Sequence, residues 1–150
     1  MAPQSAIVLL IEDSEPDVLL LRRAFVNTKV DAEVVSASDG DESLALVDSR
    51  FASGDGDCLD LILLDISMPG LNGLETLKQL RERPHLNEVP IIMLTESRLL
   101  NDVQSALDLG ATSFANKVAS IEELNSLVRN IAYHWLPGGK NLQDEEQKSA

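Results

Sequence analysis

The chain has 150 residues, 44% of them apolar, and a formal net charge of −13 from 25 acidic and 12 basic residues. That length suits one domain with a core of its own, and the single cysteine, Cys58, excludes an internal disulfide. A basic footprint for nucleic acid is missing, no apolar run nears the roughly 20 residues of a membrane span, and Met1 to Ala6 lacks the pattern of a secretory signal, so a cytoplasmic protein is expected.

Apolar runs alternate with amphipathic stretches about five times. Ala6 to Ile11 is continuously apolar and reads as a strand buried on both faces. Ser14 can cap the next helix, with Pro16 in its first turn and Val18, Leu21 and Phe25 at helical spacing. A second strand is expected over Glu33 to Ala37 and a helix over Asp41 to Phe51. The third strand, Leu59 to Leu64, runs straight into Asp65. After the turn Met68 to Gly73, a helix carries Leu74, Leu77 and Leu80 and ends near Pro84. Pro90 to Leu94 forms a fourth strand ending at Thr95, and a helix from about Leu99 to Leu109 stops at Gly110. Thr112 to Asn116 is a short fifth strand before Lys117. Ser120 to Glu123 has the spacing of a capping box, and its helix runs to about Trp135. One domain over residues 1–136 and a polar, mobile tail over 137–150 are expected.

This alternation predicts an α/β fold, an open parallel sheet with helices on both faces. Ligands bind such sheets at the carboxyl ends of the strands. Four strand ends there carry reactive groups: Glu12 and Asp13, Asp65, Thr95 and Lys117. Each alone reads as a turn, a cap or a surface residue. Together they make a site. Clustered carboxylates repel one another unless a cation joins them, and Mg2+ suits such oxygen ligands. Asp65 then remains a nucleophile for a phosphoryl group, while Lys117 and the Thr95 hydroxyl meet its oxygens.

These residues resemble the receiver domains of two-component response regulators, the CheY-like family. The resemblance covers roughly residues 6–135 and rests on four segments. They are Val8 to Asp13, Leu61 to Gly73 with its Asp-x-x-Met-Pro-x-x-x-Gly stretch from Asp65, Pro90 to Thr95, and Lys117 at the fifth strand. It implies a doubly wound, flavodoxin-like (βα)5 fold with five parallel strands in the order 2-1-3-4-5. It implies Asp65 as acceptor of phosphate from a sensor histidine kinase or a phosphotransfer protein. Mg2+ would be held by Asp13, Asp65 and the Ser67 carbonyl, with Glu12 acting through a bound water. Thr95 and Lys117 would hold the phosphoryl oxygens. Phe114 takes the place of the aromatic switch residue, with a plain core aromatic as the alternative.

Two positions depart from the family pattern. Glu96 replaces a small residue after Thr95, and Val118 replaces a proline after Lys117. They favour the competing reading, an unphosphorylated binding scaffold. A phosphatase is disfavoured because Ser67 stands where an acid is needed, so only slow self-dephosphorylation is expected. After Leu136 only 14 residues remain, too few for a DNA-binding module. Asn87 to Pro90 and Ala132 to Leu136 resemble stand-alone regulators associated with bacterial phytochrome kinases. In that group, pairing through the C-terminal helix region makes Tyr133, Trp135 and Leu136 candidate homodimer contacts.

Overall fold

The computed structural model describes residues 6–51, 58–66, 73–95, 100–118 and 120–137. Five parallel strands lie in the order β2-β1-β3-β4-β5, as the resemblance implies. They are β1 (Ala6–Ile11), β2 (Ala32–Ala37), β3 (Leu61–Asp65), β4 (Ile91–Thr95) and β5 (Ser113–Asn116). The helices are α1 (Glu15–Asn27), α2 (Gly40–Ser49), α3 (Gly73–Arg81), α4 (Leu100–Asp108) and α5 (Ile121–Trp135).

The three inner strands are buried at every position, which is why they read as unbroken apolar runs. Alternate residues serve opposite faces. Leu9, Ile62, Leu64 and Met93 pack with Leu44 and Val47 of α2 and with Leu77 and Leu80 of α3. Val8, Leu10, Leu63 and Leu94 pack with Leu21 and Phe25 of α1 and with Leu124 and Val128 of α5. Two apolar layers thus clamp one sheet, and the sheet in turn fixes where its strand ends fall.

Element ends follow local chemistry. Ser14 caps α1, Asp39 caps α2 and Ser120 caps α5, each through a side-chain oxygen that accepts a backbone N–H. The helix expected over Asp41 to Phe51 starts at Gly40 because Asp39 takes the Glu42 N–H at 2.7 Å. It ends at Ser49, yet Phe51 still reaches the core, with the Arg50 guanidinium over its ring. The strand expected from Leu59 begins at Leu61. There the Asp60 carboxylate accepts the Ile7 N–H at 2.8 Å, in place of a backbone carbonyl. Gly110 ends α4 region with a φ of 107°, as a helix terminator should. A Cβ there would stand 2.8 Å from the Arg81 stem, and the Arg81 guanidinium donates to the Gly110 and Leu86 carbonyls. The chain has no cis peptide among the described residues, and none joins Lys117 to Val118.

Candidate functional site: a carboxylate and lysine pocket at the strand ends

Strand register brings the site together. Ile11 pairs with Leu64, so the chain emerging as Glu12 lies beside Asp65. Asp65 pairs with Leu94 and Thr95 with Asn116, which places Thr95 and Lys117 on the same rim. The Lys117 N–H also donates to the Thr95 carbonyl at 2.9 Å, fixing where the lysine leaves β5.

Glu12, Asp65 and Thr95 are all buried, at 2%, 3% and 2% exposure. Asp13 is exposed and aims a carboxylate into the same space; one oxygen from each of Glu12, Asp13 and Asp65 lies within 4.8 Å of the others. Lys117 Nζ reaches Glu12 Oε2 at 2.8 Å, Asp65 Oδ2 at 3.1 Å and Asp17 Oδ2 at 3.2 Å. Glu12 Oε1 accepts the Ser14 N–H at 3.1 Å. The contact of Glu12 Oε2 with the ammonium is an ion pair without hydrogen-bond alignment, so this buried oxygen has no well-directed donor.

Burial sets the charge states. Desolvation pushes the Glu12 carboxyl up to about 7, against the Lys117 ammonium and the Ser14 N–H, which hold it down. The Asp65 charge adds to the rise. For Lys117 burial pulls the other way and is the largest single influence, but Glu12 and Asp65 together overcome it. The ammonium is held above the ordinary lysine range and stays charged.

The oxygen donors fit a hard dication. Two buried carboxylates share one lysine, a third carboxylate stands open to solvent, and one buried oxygen lacks an aligned donor. A divalent ion held by these oxygens would satisfy all of them at once.

The expected site residues Glu12, Asp13, Asp65, Thr95 and Lys117 thus meet at one rim. Ser67 and Glu96 lie outside the described residues. Phe114 is 44% exposed, its ring at the surface of β5. Of the candidate dimer contacts, Trp135 is 37% exposed and Tyr133 is half-buried. Leu136 is 7% exposed and packs in the chain's own core with Ala6 and Ala132, so its apolar surface is already covered within the chain.

Two contributors were missed by the sequence reading. Asp17 lies 100 residues from Lys117, and an acid in a first helical turn carries no mark of that contact. In the sequence Gly73 reads only as the last residue of the motif that begins at Asp65. A Cβ on it would stand 2.5 Å from the Asp65 carbonyl oxygen and from Ile66 Cα, so only glycine lets α3 begin this close to β3.

A model of the response regulator receiver domain matches residues 8–129. The chain is 28% identical to the response regulator Rcp1 of Synechocystis over 130 residues, 87% of this chain and 88% of that one. The phosphorylated cyanobacterial phytochrome response regulator RcpA superimposes with a TM-score of 0.78 at 30% identity, covering 89% and 95% of the two chains. A Mn2+-bound form of Rcp1 superimposes with a TM-score of 0.74 at 27% identity, covering 87% and 94%. With the motif segments, the strand order and the rim of acids and lysine all in agreement, the chain belongs to the response regulator receiver domain family.

Proposed function

We propose that Asp65 is the phosphoacceptor of a two-component switch and that it takes its phosphoryl group from a histidine kinase in a Mg2+-dependent reaction. The observation that carries this is the Asp65 carboxylate, 3% exposed, with the Lys117 ammonium 3.1 Å away and Glu12 and Asp13 beside it. An Asp65 oxygen attacks phosphorus and the new P–O bond forms as the donor's P–N bond breaks; a donor ring already protonated on its other nitrogen leaves as neutral imidazole, so no acid from this chain is needed. Lys117 offsets the charge on the phosphoryl oxygens, and the Thr95 hydroxyl at the neighbouring strand end donates to one of them. Mg2+ bound by Asp13, Asp65 and the Ser67 carbonyl, with Glu12 through a water, would neutralise the carboxylates and stabilise that charge.

Phosphorylation adds about −1.5 to −2 charges at the rim. It favours the arrangement that brings Thr95 and Lys117 to the phosphate, and the exposed Phe114 on β5 responds as the aromatic switch. The protein acts as a switch and at most hydrolyses its own phosphate slowly. RcpA is a phytochrome response regulator, and the likeness to it supports a phytochrome-type kinase as partner. Tyr133 and Trp135 are proposed homodimer contacts, and residues 1–136 are the receiver domain. A cytoplasmic site of action is proposed; no helix among the described residues is long and apolar enough to cross a membrane. A scaffold that is never phosphorylated leaves the burial of Glu12 and Asp65 beside the Lys117 ammonium without a purpose.

Acetyl phosphate with Mg2+ tests the reading by intact mass. The wild type should gain one phosphoryl group, and Asp65→Asn should gain none. A gain retained in Asp65→Asn would place the acceptor elsewhere.

A further inference from the structure

Lys117 meets three carboxylates that come from three different elements. Glu12 follows β1, Asp65 ends β3 and Asp17 lies in the first turn of α1. The three are not equivalent. The Glu12 and Asp65 side chains are 1% and 4% exposed, whereas Asp17 is 41% exposed, at the mouth of the pocket. Asp17 and Lys117 also line a cavity of about 270 Å3 walled by Leu20, Leu21, Leu94 and Val118. The lysine therefore has open volume on its outer side and an acceptor standing there. Asp17 is held in place because Ser14 caps its own N–H and Pro16 fixes the turn before it.

We propose that Asp17 is a positioning residue for Lys117, giving the ammonium a second seat at the mouth of the pocket when a divalent cation takes the inner carboxylates. This rests on the reading of the pocket as a cation-assisted phosphoacceptor site. In the metal-free pocket the lysine is the counterion of Glu12 and Asp65. A dication drawn to the same oxygens repels it. The apolar walls of the cavity offer the ammonium no compensation, and Asp17 does. Without the Asp17 charge, Lys117 stays on the inner carboxylates and competes with the cation.

Asp17→Asn should weaken Mg2+ binding, read by titration calorimetry, by about twofold to fivefold, the range of a partly exposed ion pair. It should raise the Mg2+ concentration needed for half-maximal uptake from acetyl phosphate. Glu15→Gln removes the same charge from the same exposed helical turn and should change neither value. In a Lys117→Met background, Asp17→Asn should have no further effect on Mg2+ affinity. An effect of Asp17→Asn that is matched by Glu15→Gln, or that persists undiminished without Lys117, would overturn the proposal and leave only general electrostatics. The Glu15 comparison needs no change at Lys117, so it decides the matter even where Lys117→Met fails to fold. A wild type that neither binds Mg2+ nor takes up phosphate would sink the phosphoacceptor reading and this proposal with it. Normal binding and uptake with equal effects at Glu15 and Asp17 would sink this proposal alone.

Discussion

The two ends of the sheet hold the same kind of ion pair and put it to opposite use. At the amino ends of the strands, Arg83 grips Asp48 in a two-pronged contact of 2.7 and 2.8 Å, and Arg50 meets Glu33 at 3.0 Å. Asp48 is 52% exposed, and the Arg83 guanidinium lowers its carboxyl below the ordinary range because little desolvation opposes it. At the carboxyl ends, Glu12 has a lysine just as close, yet burial outweighs the partner and raises its carboxyl to about 7. Proximity to a cation does not by itself fix an acid's charge. The water lost on burial decides it, and the buried carboxylates at the carboxyl ends are left short of positive charge.

That contrast can be broken from either side, and the largest effect is expected at the buried end. Lys117→Met leaves Glu12 and Asp65 without their counterion and should cost about 3 kcal/mol in urea unfolding without metal, the lower part of the range for a broken buried pair, because Glu12 can take up a proton. Millimolar Mg2+ should restore much of that loss, since the cation replaces the lysine's charge. Equal losses with and without Mg2+ would show that the carboxylates do not hold a cation.

A pH effect of intermediate size follows from Glu12. Its folded value, about 7, lies above its ordinary 4.5, so the folded state holds the extra proton between the two. The stability this group contributes is full below pH 4.5 and is lost as pH rises through 7. Cation binding needs the carboxylate, so Mg2+ affinity should climb from pH 6 to 8 and proton release should appear as a buffer-dependent heat in calorimetry. A flat profile would mean that Glu12 stays outside the cation's reach. The smallest effect belongs to the wet end: Asp48→Asn should change stability by less than about 1 kcal/mol and leave Mg2+ affinity untouched.

Much of this was legible in the sequence because burial on both faces writes itself as unbroken apolar runs. Ala6 to Ile11, Leu61 to Leu64 and Ile91 to Leu94 could hardly be read otherwise, and each run delivers its reactive residue at its carboxyl end. What could not be read were contacts made across the fold. Asp60 reads as part of the third strand and instead precedes it, completing the hydrogen bonding of β1 with its side chain. Leu136 looked free to meet a second chain and instead closes the core beneath α5. Asp17 looked like an ordinary first-turn acid, since its link to Lys117 exists only once α1 and β5 have docked on the same sheet.

The most direct test is to trap the acyl phosphate chemically. After uptake from acetyl phosphate in Mg2+, borohydride reduction converts an aspartyl phosphate into homoserine, and peptide mass mapping finds the position. Homoserine at Asp65 and at no other acid is the expected result. Homoserine at Asp13 or Asp17 instead, or none in a protein that has gained phosphate, would contradict Asp65 as the acceptor.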